Sequence, residues 1–303
     1  ASAGVKGGAL IVIGEDYGEG ASIIQERSHS FAMKSQIWLL DPRPNLPCIV
    51  NMVEQAFELS EASSTPVMLE LRIRACHVHG SFECKDNRKP KFSKLNPIAK
   101  PAFDVGRIPL PPANYAQEKH KIEVRLPAAQ KFIRERQLNE FFPGELHDIG
   151  IVLQGGMYNT LMRALQQFGL ADAYGAAKIP LYVLNVTYPL LPDEVARFCS
   201  GKRAVLVVEE GQPAHLEEAI NSILRRADIN APHVIGKDIL PMAGEYTAEV
   251  VLGGVGRFLQ LMLPDGVDQQ DVARVLDGVV QAKQRAAELL GERVPLRPPG
   301  FCV

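Results

Sequence analysis

Two rhythms share this chain. Short apolar runs rich in Val, Ile and Leu and bounded by Gly or Pro alternate with longer segments in which apolar residues return every three or four positions. The first kind reads as strands of a parallel sheet and the second as amphipathic helices packed over it. Residues 9–13 (ALIVI), flanked by glycines, predict a strand buried on both faces. A helix begins within residues 21–33, and residues 36–40 (QIWLL) predict a second strand, stopped by Asp41-Pro42 and the turn prolines Pro44 and Pro47. Residues 49–60 carry Val50, Val53, Ala56 and Phe57 at helical spacing, Ser63-Ser64-Thr65-Pro66 breaks that helix, and residues 67–73 (VMLELRI) predict a third strand.

The pattern lapses over residues 75–110, which hold Lys85, Lys89, Lys91, Lys94 and several prolines and read as a long irregular connection. Helix formers return over residues 112–139, with a kink expected at Pro127 and mixed charges forming a solvated face. A second alternation starts near His147. Strands are expected at 149–153, 180–186, 203–208 and 233–235, and helices at 157–168, from Pro192, at 213–226, 248–261 and 272–290. Asp193 and Glu194 suit the positive end of the helix that Pro192 opens. Strand–helix alternation on this scale implies parallel strands with helical crossovers, and so two α/β modules joined by an irregular and helical linker.

Composition narrows the classes. The chain has 303 residues, 46% of them hydrophobic and 22% charged, with a formal net charge of -2. That length suggests about two domains. The charge gives no case for nucleic acid or an anionic membrane as a partner. No apolar run approaches the ~18 residues that span a bilayer, and no secretory leader pattern opens the sequence. Five scattered cysteines (Cys48, Cys76, Cys84, Cys199, Cys302) argue for reduced thiols in a cytoplasm. The sequence starts almost directly on a core strand and stops at PPGFCV, which suggests a fragment of a longer polypeptide.

Candidate chemistry is sparse. After residues 9–13 comes an acidic, glycine-rich loop with Glu15, Asp16, Gly18, Glu19 and Gly20. Ligands of open α/β sheets sit beyond the carboxyl ends of strands, so this loop is either a site edge or a surface loop with turn glycines. GEDYGEGAS is no dinucleotide fingerprint, since it lacks G-x-G-x-x-G and its carboxylates repel a pyrophosphate. Cys76, His77, His79 and Cys84 invite a metal reading, but their spacing fits no C-x-x-C or H-x-x-x-H pair, which favours residues at a loop edge. Glu209-Glu210 precedes a helix; paired carboxylates serve acid–base work, and equally suit a helix N-terminus. Gly155-Gly156 permits close approach of a phosphate or makes a plain strand–helix turn. Cys302 is half of a C-x-x-C whose second half is not in the sequence. G-x-S-x-G, a P-loop and a GDG-plus-Asn diphosphate motif are all missing.

Longer stretches carry a resemblance. GGALIVIGEDYGEG, SIIQERSHSF, VEQAFELSEASSTPVMLELRIRACHVHG and LPPANYAQEKHKIEVRL resemble the alpha subunits of indolepyruvate:ferredoxin oxidoreductases. So, in the same order, do DIGIVLQGGMYNTLMRALQQFG, IPLYVLNVTYPLLPDEVARF, AVLVVEEGQPAHLEEAI, IGKDILPMAGEYT and the ending RPPGFCV, with VVEE and KD-x-LP-x-x-GE the most specific. The resemblance implies thiamin-diphosphate-type Rossmann-like modules. Residues 1–75 would be the later half of a pyrimidine-binding domain, 76–146 a linker and helical arm, 147–262 a transketolase-C-like domain, and 263–303 a helix and linker towards a diphosphate-binding domain. It implies an enzyme that oxidatively decarboxylates aryl 2-oxo acids to acyl-CoA, with thiamin diphosphate, Mg²⁺, an iron–sulfur cluster and CoA in the full enzyme and ferredoxin as electron acceptor. A homodimer or a hetero-oligomer with a second subunit would be the assembly, and no cofactor is expected on these residues alone. The first loop departs from the family's D-D-P-G and S-S-Q-N-E-Q-D-S-R, reading Glu15-Asp16-Tyr17-Gly18 and Ile23-Ile24-Gln25-Glu26-Arg27-Ser28. By position, Asp16, Gln25, Glu26 and Arg27 are the substrate- or cofactor-proximal candidates. Arg27 would pair with a substrate carboxylate or form a surface ion pair. The alternative is a non-catalytic α/β interaction subunit that kept the fold and lost the site. A transketolase or ketoacid dehydrogenase component fits the RPPGFC ending less well.

Overall fold

A computed structural model describes residues 3–17, 27–87, 105–227, 229 and 232–290. Gly18, Glu19, Gly20, Gln25 and Glu26 of the first loop, Lys89, Lys91, Lys94 and the RPPGFCV ending lie outside the described residues.

The first sheet is built from β1 (Leu10–Glu15), β2 (Trp38–Leu40) and β3 (Val67–Arg72), with α1 (Ser28–Ser35) and α2 (Leu46–Ser63) as the crossovers. β3 lies between β1 and β2 and is parallel to both, as the sequence rhythm predicts. Asn45 caps α2 by accepting the Cys48 N–H at 2.9 Å, and Pro47 sits in the first turn, where a missing N–H costs nothing. Pro47 therefore opens a helix rather than prolonging a turn. The expectation that residues 9–13 are buried on both faces is corrected. β1 pairs only with β3 among the described strands, and Ile11 and Val12 are 43% and 60% exposed.

The linker holds a single turn α3 (Ile73–Cys76), α4 (Ala113–His120), a π-helical turn at residues 121–125, and α5 (Leu126–Glu135). Pro127 lies in the first turn of α5, just after the π turn, so the α-helical ladder is interrupted where the proline predicts it. The outer face carries exposed pairs such as Lys119–Glu123 and Lys131–Glu135. The inner face is not solvated: Ala129 and Ile133 pack with Trp38, Leu59 and Leu69 in the first core.

The second sheet runs β4-β6-β5-β8-β9, from β4 (Glu140–Phe142), β5 (Ile149–Gln154), β6 (Leu181–Leu184), β8 (Ala204–Val208) and β9 (His233–Ile235). All its pairings are parallel except β4 with β6. Ile149, Ile151 and Leu153 of β5 face α6 (Tyr158–Gln167) and α9 (Ala248–Met262). Val152 of β5 and Val205 and Val207 of β8 face α7 (Pro192–Cys199) and α8 (His215–Ala227). Both faces are covered, which is why these strands read as continuous apolar runs. A final helix, α10 (Gln269–Leu290), lies against α9.

One expected strand, 180–186, proves to be two. After β6 the chain turns at Asn185, and β7 (Val186–Tyr188) pairs antiparallel with β2, completing the first sheet as β1-β3-β2-β7. The buried Asn185 fixes this handover. Its side chain donates to the Leu138 carbonyl at 2.9 Å and to Glu140 at 3.0 Å and accepts the Arg43 N–H at 2.8 Å, while its own carbonyl accepts the Asp41 N–H at 2.9 Å.

Candidate functional site

Five strand ends converge between the two sheets. β1 ends at Glu15, β2 is followed by Asp41, β3 ends at Arg72, β5 at Gln154, and β8 is followed by Glu209 and Glu210. Alternation along β3 puts Glu70 and Arg72 on one face. The Arg72 guanidinium is its centre. It bonds Asp41 at 2.6 Å through Nη2, reaches Glu210 through Nη1, and lies 3.2 Å from Glu70. Its Cζ sits 5.1 Å from the centroid of the Tyr17 ring. Arg72, Asp41, Glu70 and Glu210 are all buried.

One buried cation faces more acids than it can neutralise. Burial raises the Glu70 pKa well above the usual carboxyl range, and Asp41, Glu15 and Glu210 push it the same way against the pull of Arg72. Burial therefore favours the uncharged form of the Glu70 carboxyl. Burial, with Glu70 next, likewise keeps Tyr17 a phenol. Ser28 donates to Glu15, tying the start of α1 to the end of β1.

The second module contributes a preformed cradle. The Gly156 N–H donates to Asp41 at 3.1 Å. A Cβ at Gly155 would overlap the Asp41 carbonyl, and one at Gly156 would overlap Arg72 and stand 2.6 Å from Asp41 Oδ1. The two glycines thus serve the approach of one module to the other rather than a phosphate. Glu209 and Glu210 divide their roles. Glu209 accepts N–H bonds from Leu216 and Glu217 at the start of α8, at 2.9 and 3.2 Å, the helix-end role its position suggested. Glu210 reaches Arg72 and accepts the Tyr246 N–H at 2.5 Å, while its own N–H donates to Gln154 at 2.7 Å. Lys237, of the KD-x-LP segment, donates to the carbonyls of Glu209 and Gly211 at 2.6 and 2.7 Å and to the Tyr246 hydroxyl at 2.9 Å. Burial lowers Lys237 to about 8 and lifts Glu209 to about 7.

Of the residues singled out by position, Asp16 follows β1 and Arg27 is exposed immediately before α1, so the two flank the Glu15–Ser28 contact. Gln25 and Glu26 fall outside the described residues. Cys76 and Cys84 are exposed, and no group of three or more His, Cys, Asp or Glu side chains that could hold a metal ion occurs among the described residues. Asp41, Glu70, Arg72 and Gln154 were not singled out. Their signal is two charged residues two apart inside the apolar run VMLELRI, which is unfavourable unless both are paired.

The described residues do not fit a metal-bound diphosphate. The dense acid cluster is already engaged by Arg72, and its acids are shut away from solvent. Nor is Glu70 presented to a ligand, since it faces the guanidinium. What the network does is lock the strand ends of two sheets together, and so set the loops beyond them.

No protein-family model matches the chain. It is similar over 99% of its length to proteins named indolepyruvate oxidoreductase subunit IorA, with 27% identity to that of Methanothermobacter marburgensis and 26% to that of Pyrococcus abyssi. The chain spans 43% of the length of each of these relatives. Among solved structures, the 2-oxoglutarate:ferredoxin oxidoreductase from Magnetococcus marinus, with 2-oxoglutarate, coenzyme A and succinyl-CoA bound, shares the fold. Its TM-score is 0.52 at 17% identity, over 82% of this chain and 48% of that one.

Proposed function

We propose that this chain, similar throughout its length to indolepyruvate oxidoreductase subunits, is the scaffold section of a 2-oxoacid:ferredoxin oxidoreductase that acts on aryl 2-oxo acids such as indolepyruvate. The observation that carries the reading is the collinear similarity over 99% of the chain. In this reading residues 1–75 are the later half of a pyrimidine-binding domain, 76–146 the arm, 147–262 the transketolase-C-like domain, and 263–303 the connection onward. Thiamin diphosphate with Mg²⁺, the iron–sulfur cluster and the CoA site belong to polypeptide beyond these residues, as do the contacts to ferredoxin and to a second subunit, in a cytoplasmic enzyme. The work of this section is placement. The Arg72 network holds the ends of β1 and β3, and in this reading Asp16, Gln25, Glu26 and Arg27 are the residues near substrate or cofactor in the assembled site.

Two measurements test this. Calorimetry on the 303-residue chain should detect no binding of thiamin diphosphate with Mg²⁺; micromolar binding would show that the cofactor site is already whole. The full open reading frame, expressed with any adjacent partner subunit, should reduce a low-potential dye when given indolepyruvate and CoA. The buried ion network favours a second reading, an interaction subunit without catalysis. A parent protein that neither binds the cofactor nor oxidises any 2-oxo acid would decide for it.

A further inference from the structure

Clear of the Arg72 network, α6 and α10 both pack on α9, and beside the first turns of α9 the three helices leave an open groove of about 540 Å³. That is the size of a small-molecule site. Its floor and one wall are apolar: Ala248 and Leu252 come from α9, and Val279, Ala282 and Ala286 from α10. The α10 positions recur three and four apart, so they form one stripe along the helix. Val272, near the start of α10, is buried, while Ala282 and Ala286 further along are exposed, so the apolar side of this helix is covered at its beginning and open at its end. The other wall is polar. There α6 presents Arg163, with Gln166 and Gln167 one turn on along the same face. Arg163 is exposed and has no counter-ion among the described residues. The remaining charges of the groove cancel, because Lys283 of α10 pairs with Glu249 of α9. One uncompensated positive charge therefore stands beside an apolar trough.

We propose that this groove binds an unbranched apolar monocarboxylate, its hydrocarbon chain lying along α10 and its carboxylate paired with Arg163. The net charge of the lining selects a monoanion over a neutral or cationic ligand. One polar anchor is enough, since a flexible chain needs no fixed spacing between two bonding groups. Arg163, Ala282 and Ala286 are all exposed, so an incoming chain reaches both the anchor and the apolar wall. The lining positions of α10, from Val279 to Ala286, extend about 10 Å at ~1.5 Å per residue, which suits a chain of about eight carbons. The inference is independent of the proposed enzyme, because α6, α9 and α10 are whole within the described residues.

The test is a titration of the complete 303-residue chain with octanoate at neutral pH, read from the methyl resonances of Ala248, Ala282 and Ala286. Saturable shifts at all three are expected. Butanoate, hexanoate and octanoate should bind progressively tighter, by up to about fourfold per methylene, and longer chains should add little. Octanamide, which has no charge, should bind about three- to fivefold more weakly than octanoate, the worth of an exposed ion pair. Arg163→Gln should abolish that preference and leave the dependence on chain length. Ala282→Phe fills the trough and should abolish octanoate binding, whereas Gln281→Phe, at the neighbouring position outside the lining, should not. All three positions are exposed, so the variants should melt with the wild type. Methyl resonances unmoved at millimolar octanoate, a preference for the acid that survives Arg163→Gln, or binding that survives in folded Ala282→Phe would overturn the proposal.

Discussion

Replacing Arg72 by Met would leave Asp41, Glu70 and Glu210 facing one another in the interior without a cation. Removing one partner of a buried ion pair costs about 3–5 kcal/mol, so Arg72→Met should lower the urea midpoint by that equivalent. Glu70→Gln should cost less than Arg72→Met, because burial already favours the uncharged carboxyl and Gln keeps an oxygen towards Arg72. A loss as large as that of Arg72→Met would show that Glu70 acts as a charged partner of Arg72. His29 sets the acid limb. Its pKa is lowered from 6.5 to about 3 in the fold, so its contribution is intact above 6.5 and is lost as pH falls towards 3. The slope is at most ~1.4 kcal/mol per pH unit. His29→Phe keeps a ring against His215 and should flatten the fall in stability between pH 6.5 and 4.5; an unchanged slope would place the titration elsewhere.

At the scale of elements, the glycines of the β5–α6 turn should be intolerant in a specific way. A Cβ at Gly155 meets backbone of the other module, which cannot rotate aside. Gly155→Ala should cost about 1–3 kcal/mol or more. Gly253, inside α9 with open space around it, should gain up to about 1 kcal/mol on the same change. Thermal melts of the two variants moving in the same direction would contradict the packing described. The elements differ in how far the sequence discloses them. β5 and β8 are legible because both faces are covered and every position is apolar. β1 carries the same apolar signature yet has exposed residues, since a run of Val and Ile does not reveal what lies over it. β7 is illegible because its place depends on Asn185 bonding to Leu138, Glu140 and Arg43, far off in sequence. Glu70 and Arg72 show in the sequence as charges in an apolar run, but their partners Asp41 and Glu210 come from other strands, so the network itself does not.

For the whole molecule, the exposed first strand matters most. Val12 is 60% exposed and Ile11 43%, on an edge whose outer hydrogen-bonding side meets no other described strand. Apolar open edges invite pairing with another chain. The isolated chain should self-associate with rising concentration, and Val12→Lys, which puts a charge on that edge, should return it towards monomer in light scattering. A wild-type chain that stays monomeric at high concentration would mean that the edge is already protected. Of the strand-end network, the sequence draws attention to Glu15 and to the Glu209-Glu210 pair. The remainder is not legible, because its residues come from the ends of five strands and meet only in the folded chain.

The strand lent across at Asn185 carries a consequence for how such a protein can be divided. β7 is encoded between β6 and α7, both of the second sheet, yet it closes the first. A gene cut anywhere between the modules strands that segment on the wrong side of the cut. The amino-terminal piece then presents β2 as a raw margin, and the carboxyl-terminal piece carries three residues with nowhere to pair. Grafting either module onto a new scaffold therefore means transplanting both.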